Sequence, residues 1–428
     1  MEIGVVGGGF AGLTAAYDLL RNGHAVTVFE AASEVGGLAS GFKDAGWDWS
    51  LERFYHHIFR SDRAIIGLVN EIGASDLLAF HKPTTAFWCS AHGAHAFDGA
   101  LPVLLYPHLP LWDKLRVGGA VAVLKLRKDW RRLERETAEQ YLQRWMGRRA
   151  FLKLWEPLLV GKFGPYAHEV NAAWFWARIV ARTPQLGYFR GGFQAFANAL
   201  AAKVTALGGT ICPNTPVQNL RTSDGRWEIH AASTTRAFDR VVVASSPGLL
   251  ARLVPELPAD YTAGLRALKS LGAVVLVVAI KQQLLTNGVY WLNLPKGEFP
   301  FLALVEHTNM IDRKHYGGDY LLYCGDYLPA DHRYFRMPAE DVSAEWIAAL
   351  PKANAAFNPE WVRRSWLHRE AYAQPVVPVN HSRHLPPLRT PLPGLFFASM
   401  SQVYPWDRGT NYAVELGRRV AVEVQTAE

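Results

Sequence analysis

The sequence predicts an α/β fold in which a Rossmann-like domain is joined to a second domain of mixed sheet and helices (α+β inserts). Three observations lead to this prediction: a glycine-rich βαβ unit at the N-terminus, a Val-rich strand before Ser245, and a strand, loop and helix near the C-terminus.

The N-terminal unit has the pattern of a dinucleotide-binding site. A short apolar strand leads into the GxGxxG run Gly7, Gly8, Gly9, Phe10, Ala11 and Gly12. Gly7 permits a tight turn, Gly9 lets a pyrophosphate approach the backbone, and Gly12 lets helix and strand pack closely. The N-terminus of the following helix offers free N–H groups to the phosphates. A second strand, 25–29, then ends on Glu30, whose carboxylate can accept hydrogen bonds from ribose hydroxyls.

A glycine pair follows the acid and narrows the type of dinucleotide. Ala31 comes directly after Glu30, and Gly36-Gly37 is followed by Leu38 and Ala39. This order resembles the flavoprotein group of amine oxidases, protoporphyrinogen oxidases, phytoene-type desaturases and UDP-galactopyranose mutases. The resemblance implies FAD as cofactor. Many members have Arg after the glycine pair, so Leu38 removes one phosphate contact that the resemblance would otherwise imply.

The resemblance also implies cofactor contacts later in the chain. It assigns an adenine contact to the backbone of Val217, and it places Ser245 where the chain returns to the FAD domain. The final strand, loop and helix would complete the site, with the residues Asp407, Gly409, Thr410 and Asn411. Ser399-Met400 replaces the common Gly-Asp there, so Asp407 is expected to take over its polar role. Thr410 or Asn411 can cap the last helix.

The predicted FAD-binding domain comprises residues 1–60, 190–250 and 390–428. The predicted substrate domain comprises residues 60–190 and 250–390, with a helical, membrane-facing insert. The run 271–280 is rich in Val and is predicted to be a buried strand.

Four residues are candidates for catalysis. His56 and His57 follow the glycine pair, and in a strand only one of them can face the flavin. His57-Ile58-Phe59 resembles a His-Ile-Phe of UDP-galactopyranose mutases, where the His lies beside the flavin, so His57 is favoured. A histidine can move a proton or stabilise a reduced flavin, unless it is only a core residue. Arg190, flanked by glycines, is predicted to reach into a cavity, and Tyr404 lies in the C-terminal loop.

An aromatic and basic stretch, 155–192, suggests what the substrate domain binds. Its rings and cations could hold a prenyl diphosphate or a sugar nucleotide, or they could form a packed core with solvated arginines. The leading hypothesis is an FAD-dependent oxidoreductase that moves a hydride from an apolar or prenyl-type small molecule to flavin N5. The electrons would then pass to oxygen, a quinone or another carrier. The alternative is a mutase-like enzyme that acts on a sugar nucleotide without net redox.

Charge and cysteine content bear on partners and location. The formal net charge is +7, and the segment 114–149 is predicted to be a basic helix that either contacts a membrane surface or forms a solvated lid. An apolar run with prolines, 101–111, precedes it. Three scattered cysteines favour a reducing cytoplasm, with a peripheral place on the inner face of the membrane as an alternative. No metal-ligand spacing and no nucleic-acid-binding signature is present.

Overall fold

The computed structural model of the protein describes residues 1–89, 93–96, 109–232 and 234–427. It confirms the predicted α/β class with a Rossmann-like sheet. Most of the apolar run 101–111 lies outside the described residues.

The strands provide the frame of both domains. In chain order they are β1 (Glu2–Val6), β2 (Ala25–Phe29), β3 (Gly41–Phe42), β4 (Leu51–Glu52), β5 (Ile58–Phe59), β6 (Leu78–His81), β7 (Thr84–Cys89), β8 (Gly93–Ala96), β9 (Leu186–Phe189), β10 (Thr210–Cys212), β11 (Val217–Ser223), β12 (Arg226–Ala231), β13 (Thr234–Phe238), β14 (Arg240–Val243), β15 (Ser270–Ile280), β16 (Val289–Asn293), β17 (Ala303–Glu306), β18 (Tyr320–Leu328), β19 (Val362–Pro375) and β20 (Leu395–Phe397).

The helices cover the parallel sheet and build a separate lobe. In chain order they are α1 (Phe10–Arg21), α2 (Arg63–Glu71), α3 (Leu111–Leu126), α4 (Ala138–Met146), α5 (Arg148–Ala150), α6 (Glu156–Phe163), α7 (Ala172–Ala181), α8 (Phe193–Ala206), α9 (Pro247–Leu253), α10 (Ala259–Ala267), α11 (Ala339–Ile347) and α12 (Thr410–Thr426).

A parallel sheet in the order β10-β2-β1-β14-β20 forms the centre of the first domain. Neighbouring residues of β1 face opposite sides of it, as the strand geometry requires. Val5 packs into the core that contains α1, α8 and α12, whereas Val6 packs into the core beneath β11, β12 and β13. The sheet thus lies between a helical layer and a three-stranded antiparallel layer, and its strands come from three distant parts of the chain.

Strands β11 and β12 form an antiparallel hairpin, with Ser223 opposite Arg226. The third strand of this layer, β13, was not predicted. Its side chains from 234 to 237 are exposed, so the sequence there lacks the apolar alternation that marks a half-buried strand.

The second domain contains a seven-stranded sheet in the order β19-β15-β18-β17-β16-β7-β8. Strand β15 is buried on both faces: Val275 and Val277 face the core shared with the first domain, and Val274 and Val278 face another core. This burial confirms the buried strand predicted over 271–280 and explains its continuous run of apolar residues.

The helical lobe, α3 to α7, has a core of its own. The prediction of one continuous helix over 114–149 is wrong, because α3 ends at Leu126 and α4 begins at Ala138. The indole N–H of Trp176 donates to the backbone oxygens of Leu124 and Arg127, both at 3.0 Å. These bonds occupy carbonyls at the end of α3, and a capping box of Thr137 and Gln140 begins α4. Among the described residues, no helix is long and apolar enough to cross a membrane.

Candidate functional site

The glycine loop after β1 forms one end of a large cavity. Gly7 has a φ of +107°, and a Cβ on it would lie 2.5 Å from the backbone oxygen of Ala244. A Cβ on Gly12 would lie 2.0 Å from the backbone oxygen of Gly7, so helix α1 can approach the turn only because this residue is glycine. Helix α1 begins at Phe10, and its first N–H groups are the unsatisfied donors that favour an anion at this position.

Glu30 is held rigidly at the end of β2. Its Oε2 accepts a hydrogen bond from the N–H of Gly8 at 2.6 Å, and its Oε1 accepts one from the N–H of Ala32 at 2.8 Å. Each carboxylate oxygen has a further lone pair for a hydroxyl donor. These two backbone hydrogen bonds fix the carboxylate at the wall of the cavity, and its contact with ribose hydroxyls stays a prediction.

The second glycine pair closes against the first loop. Gly36 and Gly37 have φ values of +117° and +58°, and the N–H of Gly36 donates to the backbone oxygen of Gly8 at 2.9 Å. A Cβ on Gly37 would lie 3.2 Å from the Cα of Gly9. Two glycine loops in close contact leave a backbone-lined cradle, which suits the close approach of a pyrophosphate.

The cavity bounded by these loops, here called the cofactor cavity, has a volume of about 650 Å³. Twelve of the predicted cofactor residues line it: Gly7, Gly9, Phe10, Ala11, Glu30, Gly36, Gly37, Leu38, Ala39, Ser245, Gly409 and Thr410. Five do not: Gly12, Ala31, Val217, Asp407 and Asn411. The loop geometry, the fixed acid and the volume together fit an FAD molecule.

Several residues of the cofactor cavity were not identified from the sequence. Arg53 lies on its wall and donates from Nη1 to the Oγ of Ser40 at 2.5 Å. Strand β19 contributes His368, Arg369 and Glu370 to the wall. The Nε of Arg369 is buried and has no hydrogen-bond partner among the described residues, so it can donate to a bound anion. The feature of the sequence that could have indicated these wall residues is the unusual number of charged side chains in strand β19.

A second cavity, here called the substrate cavity, has a volume of about 250 Å³ and adjoins the first. His56, Arg408, Gly409 and Thr410 line both cavities. The two spaces therefore meet at these four residues. Any group bound at this junction contacts the contents of both.

Both histidines face the substrate cavity. Residues 53–57 are irregular and not a strand, so the expected alternation of the two side chains does not apply. His56 lies at the junction, and its Nδ1 is 2.6 Å from the backbone oxygen of Phe54. The Nδ1 of His57 is buried and has no partner within the described part of the chain. Burial lowers the pKa of His56 to about 4 and that of His57 to about 3, so both rings are neutral at neutral pH.

Asp407 lies in the substrate cavity and not in the cofactor cavity. Its Oδ2 is 2.6 Å from the Nζ of Lys162 and 3.4 Å from Nη1 of Arg178. Its Oδ1 accepts a hydrogen bond from the indole of Trp174 at 3.3 Å. Burial alone would raise the pKa of the Asp407 carboxyl, but the neighbouring cations outweigh it and hold that pKa well below its usual range.

Arg408 is positioned by the second domain. Its Nε donates to Oε1 of Gln374 at 3.0 Å, and its Nη2 donates to the hydroxyl of Tyr327. The guanidinium carbon lies 5.1 Å from the centre of the Tyr327 ring. These contacts fix a cation at the junction of the two cavities.

Two other predicted residues, Arg190 and Tyr404, line neither cavity, and Asn411 lines the substrate cavity. Arg190 is exposed and lines neither cavity, because the turn after β9 directs it away from both. Tyr404 also lines neither cavity; its hydroxyl donates to Oε2 of Glu134 and accepts from Nδ2 of Asn171, both at 3.0 Å. The side chain of Asn411 does not cap α12. Its Oδ1 instead accepts the N–H groups of Ala64 and Ile65 at the start of α2.

Comparison with known proteins adds the following similarities. A family model described as "Flavin containing amine oxidoreductase" matches residues 10–425. A zeta-carotene desaturase of Solanum lycopersicum is 26% identical over 133 residues, which span 29% of this chain and only 22% of the desaturase. The structure of cyclohexylamine oxidase from Brevibacterium oxydans IH-35A aligns with a TM-score of 0.74 and 15% identity, covering 99% of this chain and 98% of that one. Reduced UDP-galactopyranose mutase aligns with a TM-score of 0.76 and 14% identity, covering 99% and 95%.

Proposed function

This chain belongs to the family of flavin containing amine oxidoreductases, and we propose that its two adjoining cavities hold FAD and an oxidisable substrate side by side. Family membership confirms the predictions of an FAD cofactor and of an oxidoreductase. The placement of FAD in the cofactor cavity, and the identity of the substrate, are the new parts of the proposal.

The cofactor cavity has a group for each part of FAD. The N-terminus of α1 and the two glycine loops would hold the pyrophosphate, and Glu30 would hold the ribose hydroxyls. Arg53 and Arg369 supply positive charge, which compensates for the uncharged Leu38 after the glycine pair. Of the residues predicted from the sequence, Gly12 contributes by allowing helix α1 to pack closely and not by touching the cofactor.

The observation that best supports this proposal is the junction of the two cavities, where a bound cofactor and a bound substrate would be in contact. Bound FAD supplies the capacity to accept two electrons from a C–H or C–N bond of the substrate. His56 and Arg408 would bound the reacting space, and the neutral His57 would face the substrate. A neutral imidazole with an unpaired, buried Nδ1 can form one hydrogen bond to the substrate at that atom, which is the role we assign to it.

The substrate cavity favours a substrate with an apolar body. Its wall combines cations with large apolar side chains, among them Phe59, Trp88, Leu154, Leu158 and Trp291. The protein should purify with a visible flavin absorption band, and anaerobic addition of the true substrate should bleach that band. A protein without this band after incubation with FAD, dialysis and concentration would exclude the proposal.

A mutase-like reaction is the second candidate, because His57-Ile58-Phe59 resembles the mutase motif and the cavity is rich in cations. The two candidate reactions differ in whether the substrate is oxidised: an oxidoreductase removes two electrons from it, whereas a mutase leaves its oxidation state unchanged. Incubation of the dithionite-reduced protein with UDP-galactopyranose should yield the furanose isomer only if the mutase reading is correct. Absence of the isomer, together with substrate-dependent bleaching of oxidised flavin, would leave the oxidoreductase alone.

Helix α3 supports a further proposal, namely contact with an anionic membrane surface. One continuous face of α3 is apolar and exposed, with Trp112 80% and Leu126 82% exposed, and Leu115 lies between them. Lys125, Lys128, Arg131 and Arg132 follow at its C-terminal end. Exposed apolar side chains beside cations are the arrangement of an interfacial helix.

Vesicle sedimentation tests this contact. The protein should bind vesicles of phosphatidylglycerol more tightly than vesicles of phosphatidylcholine, and the double variant Trp112→Ser, Leu126→Ser should lose that binding. Val422→Ser, which alters a residue 57% exposed on α12, is the matched control. Equal binding of the double variant and the parent protein would refute the contact.

A further inference from the structure

The substrate cavity has an excess of positive charge that its own carboxylates do not balance. Among the described residues, five basic side chains line it: Lys153, Lys162, Arg178, Arg182 and Arg408. Two acids of the described part of the chain line it, Asp62 and Asp407. Burial raises the pKa of Asp62 to about 6, so this acid is a weak source of negative charge near neutral pH. Among the described residues, one firmly ionised carboxylate therefore faces four or five cations, depending on the protonation of Lys162.

We propose that Lys162, Arg178 and Arg182 form an anion-binding subsite that holds a carboxylate or a phosphate group of the substrate. This inference rests on the proposed function, because it names the chemical class of the substrate in the same cavity. Arg178 lies in α7, and Arg182 follows four positions later, directly after the helix ends. Lys162 enters from α6.

Some basic side chains of the substrate cavity have no hydrogen-bond acceptor among the described residues. The carboxylate of Asp407 is paired with Lys162 and Arg178, as described above. For Arg182, no carboxylate or hydrogen-bond acceptor lies within bonding distance among the described residues, and its guanidinium carbon is 5.8 Å from the centre of the Phe59 ring. Lys153 likewise has no acceptor among those residues. A guanidinium with five donors and no acceptor is suited to a planar carboxylate or to phosphate.

The position of the subsite relates it to the reaction. The Phe59 ring, beside which the Arg182 guanidinium lies, has its centre 5.3 Å from the centre of the His57 ring. The subsite therefore lies on the side of the cavity that His57 lines, and its three cations lower the pKa of His57 further after the effect of burial. Arg408 lies at the junction with the cofactor cavity. A substrate whose anionic group is held by the subsite would extend its apolar body along the wall toward that junction.

The same charges disfavour a cationic substrate. An ammonium group brought into this cavity would meet several like charges, among them those of Lys162 and Arg178, whose side chains are largely buried. Repulsion between partly desolvated charges is stronger than in water. We therefore expect an anionic substrate although the family is described by amine oxidation.

Binding of matched probes to the FAD-loaded protein tests the subsite. Decanoate, decyl phosphate, decylamine and decanol share one apolar chain and differ in the charge of the head group. We expect decanoate or decyl phosphate to bind, seen by calorimetry and as a perturbation of the flavin spectrum. The tighter of the two identifies the group as carboxylate or phosphate. Decanol and decylamine should bind at least about tenfold more weakly, since neither can accept a charge-assisted hydrogen bond as an anion from the cations of the subsite.

Variants locate the binding. Arg182→Gln should raise the Kd of the tighter anion about tenfold, whereas Arg182→Lys should recover part of the affinity. Arg252→Gln, on the exposed surface of α9, is the control and should leave the Kd unchanged. Equal binding of decanol and the anions, or an unchanged Kd in Arg182→Gln, would overturn the subsite. A protein that lacks flavin altogether would instead refute the proposed function, so the two failures are distinguishable.

Discussion

The Nζ atom of Lys162 lies 2.6 Å from Oδ2 of Asp407, and this ion pair connects helix α6 of the helical lobe to the loop that precedes α12. Both partners are largely buried. The pair thus joins the helical lobe to the loop that lines both cavities. It also means that the acid expected to line the cofactor cavity instead balances cations in the substrate cavity.

Removal of this acid should destabilise the protein. Asp407→Asn leaves Lys162 and Arg178 without their common partner, and loss of one member of a buried ion pair costs about 3–5 kcal/mol when the pair is fully buried. Because Asp407 retains some exposure, we expect a decrease of about 2 kcal/mol in the free energy of unfolding, measured with urea. Added decanoate should restore part of the loss. An unchanged stability would contradict the assigned role of the pair.

The affinity of the anion subsite should depend on pH. Burial lowers the pKa of Lys162 to about 7, and the arginines nearby add to this effect although Asp407 opposes it. Decanoate remains ionised above about pH 5, so only the protein titrates. Its affinity should be highest below pH 7 and should fall about tenfold by pH 9, as the ammonium loses its proton.

Lys162→Met serves as the control for that titration. Its Kd for decanoate at pH 6 should be about tenfold higher than that of the parent protein. Between pH 6 and 9 this Kd should rise less than that of the parent protein, because only the remaining ionisation of Asp62, whose pKa is about 6, then weakens binding. The same pH dependence in the variant and in the parent protein would assign the titration to another group.

Gly12 offers a test of the cofactor cavity. Gly12→Ala places a Cβ 2.0 Å from the backbone oxygen of Gly7, so either the loop or α1 must shift. We expect the purified variant to lose most of its flavin, measured as the ratio of visible to ultraviolet absorption. Gly248→Ala is the matched control, since it is also helical but its Cβ would meet nothing within 4 Å. Equal flavin content in the two variants would be incompatible with the proposed cradle.

Glu52 provides a prediction about stability. This acid is buried, its Oε1 accepts the N–H of Phe193 at 2.6 Å, and its Oε2 accepts the hydroxyl of Tyr188 at 2.8 Å. Burial outweighs these bonds and raises its pKa to about 7. Since the unfolded chain releases this proton near pH 4.3, the folded state binds more protons between these values, and stability falls as the pH rises through that window.

Glu52→Gln should remove this dependence. The difference in unfolding free energy between the variant and the parent protein should shift in favour of the variant by about 3 kcal/mol between pH 4 and pH 8. Thermal unfolding at both pH values measures it, and Glu360→Gln, at an exposed position, is the control. A constant difference would show that Glu52 is ionised in the folded protein.

The fold was predictable from the sequence where the signal is local. The run from β1 through Gly12 to Glu30 carries its own turn, packing and capping chemistry within thirty residues, so each part could be assigned. The positions of Arg190 and Asp407 could not be predicted from the sequence. The position of Arg190 depends on the direction of the turn after β9, and that of Asp407 depends on which part of the chain supplies cations to a distant loop. Neither is encoded near the residue itself.

The walls of the two cavities depend on long-range packing in the same way. Strand β19 reaches the cofactor cavity because it pairs with β15 at the edge of the second sheet, and no pattern within 362–375 indicates that partner. The break between α3 and α4 likewise depends on Trp176, about fifty residues later in the chain.

A crystal structure of the FAD-loaded protein with bound decanoate tests the central claim most directly. We predict that the flavin ring lies at the junction lined by His56 and Arg408, and that the carboxylate lies within hydrogen-bonding distance of Arg182. A flavin ring away from this junction, or a carboxylate outside the cluster of Lys162, Arg178 and Arg182, would contradict the account.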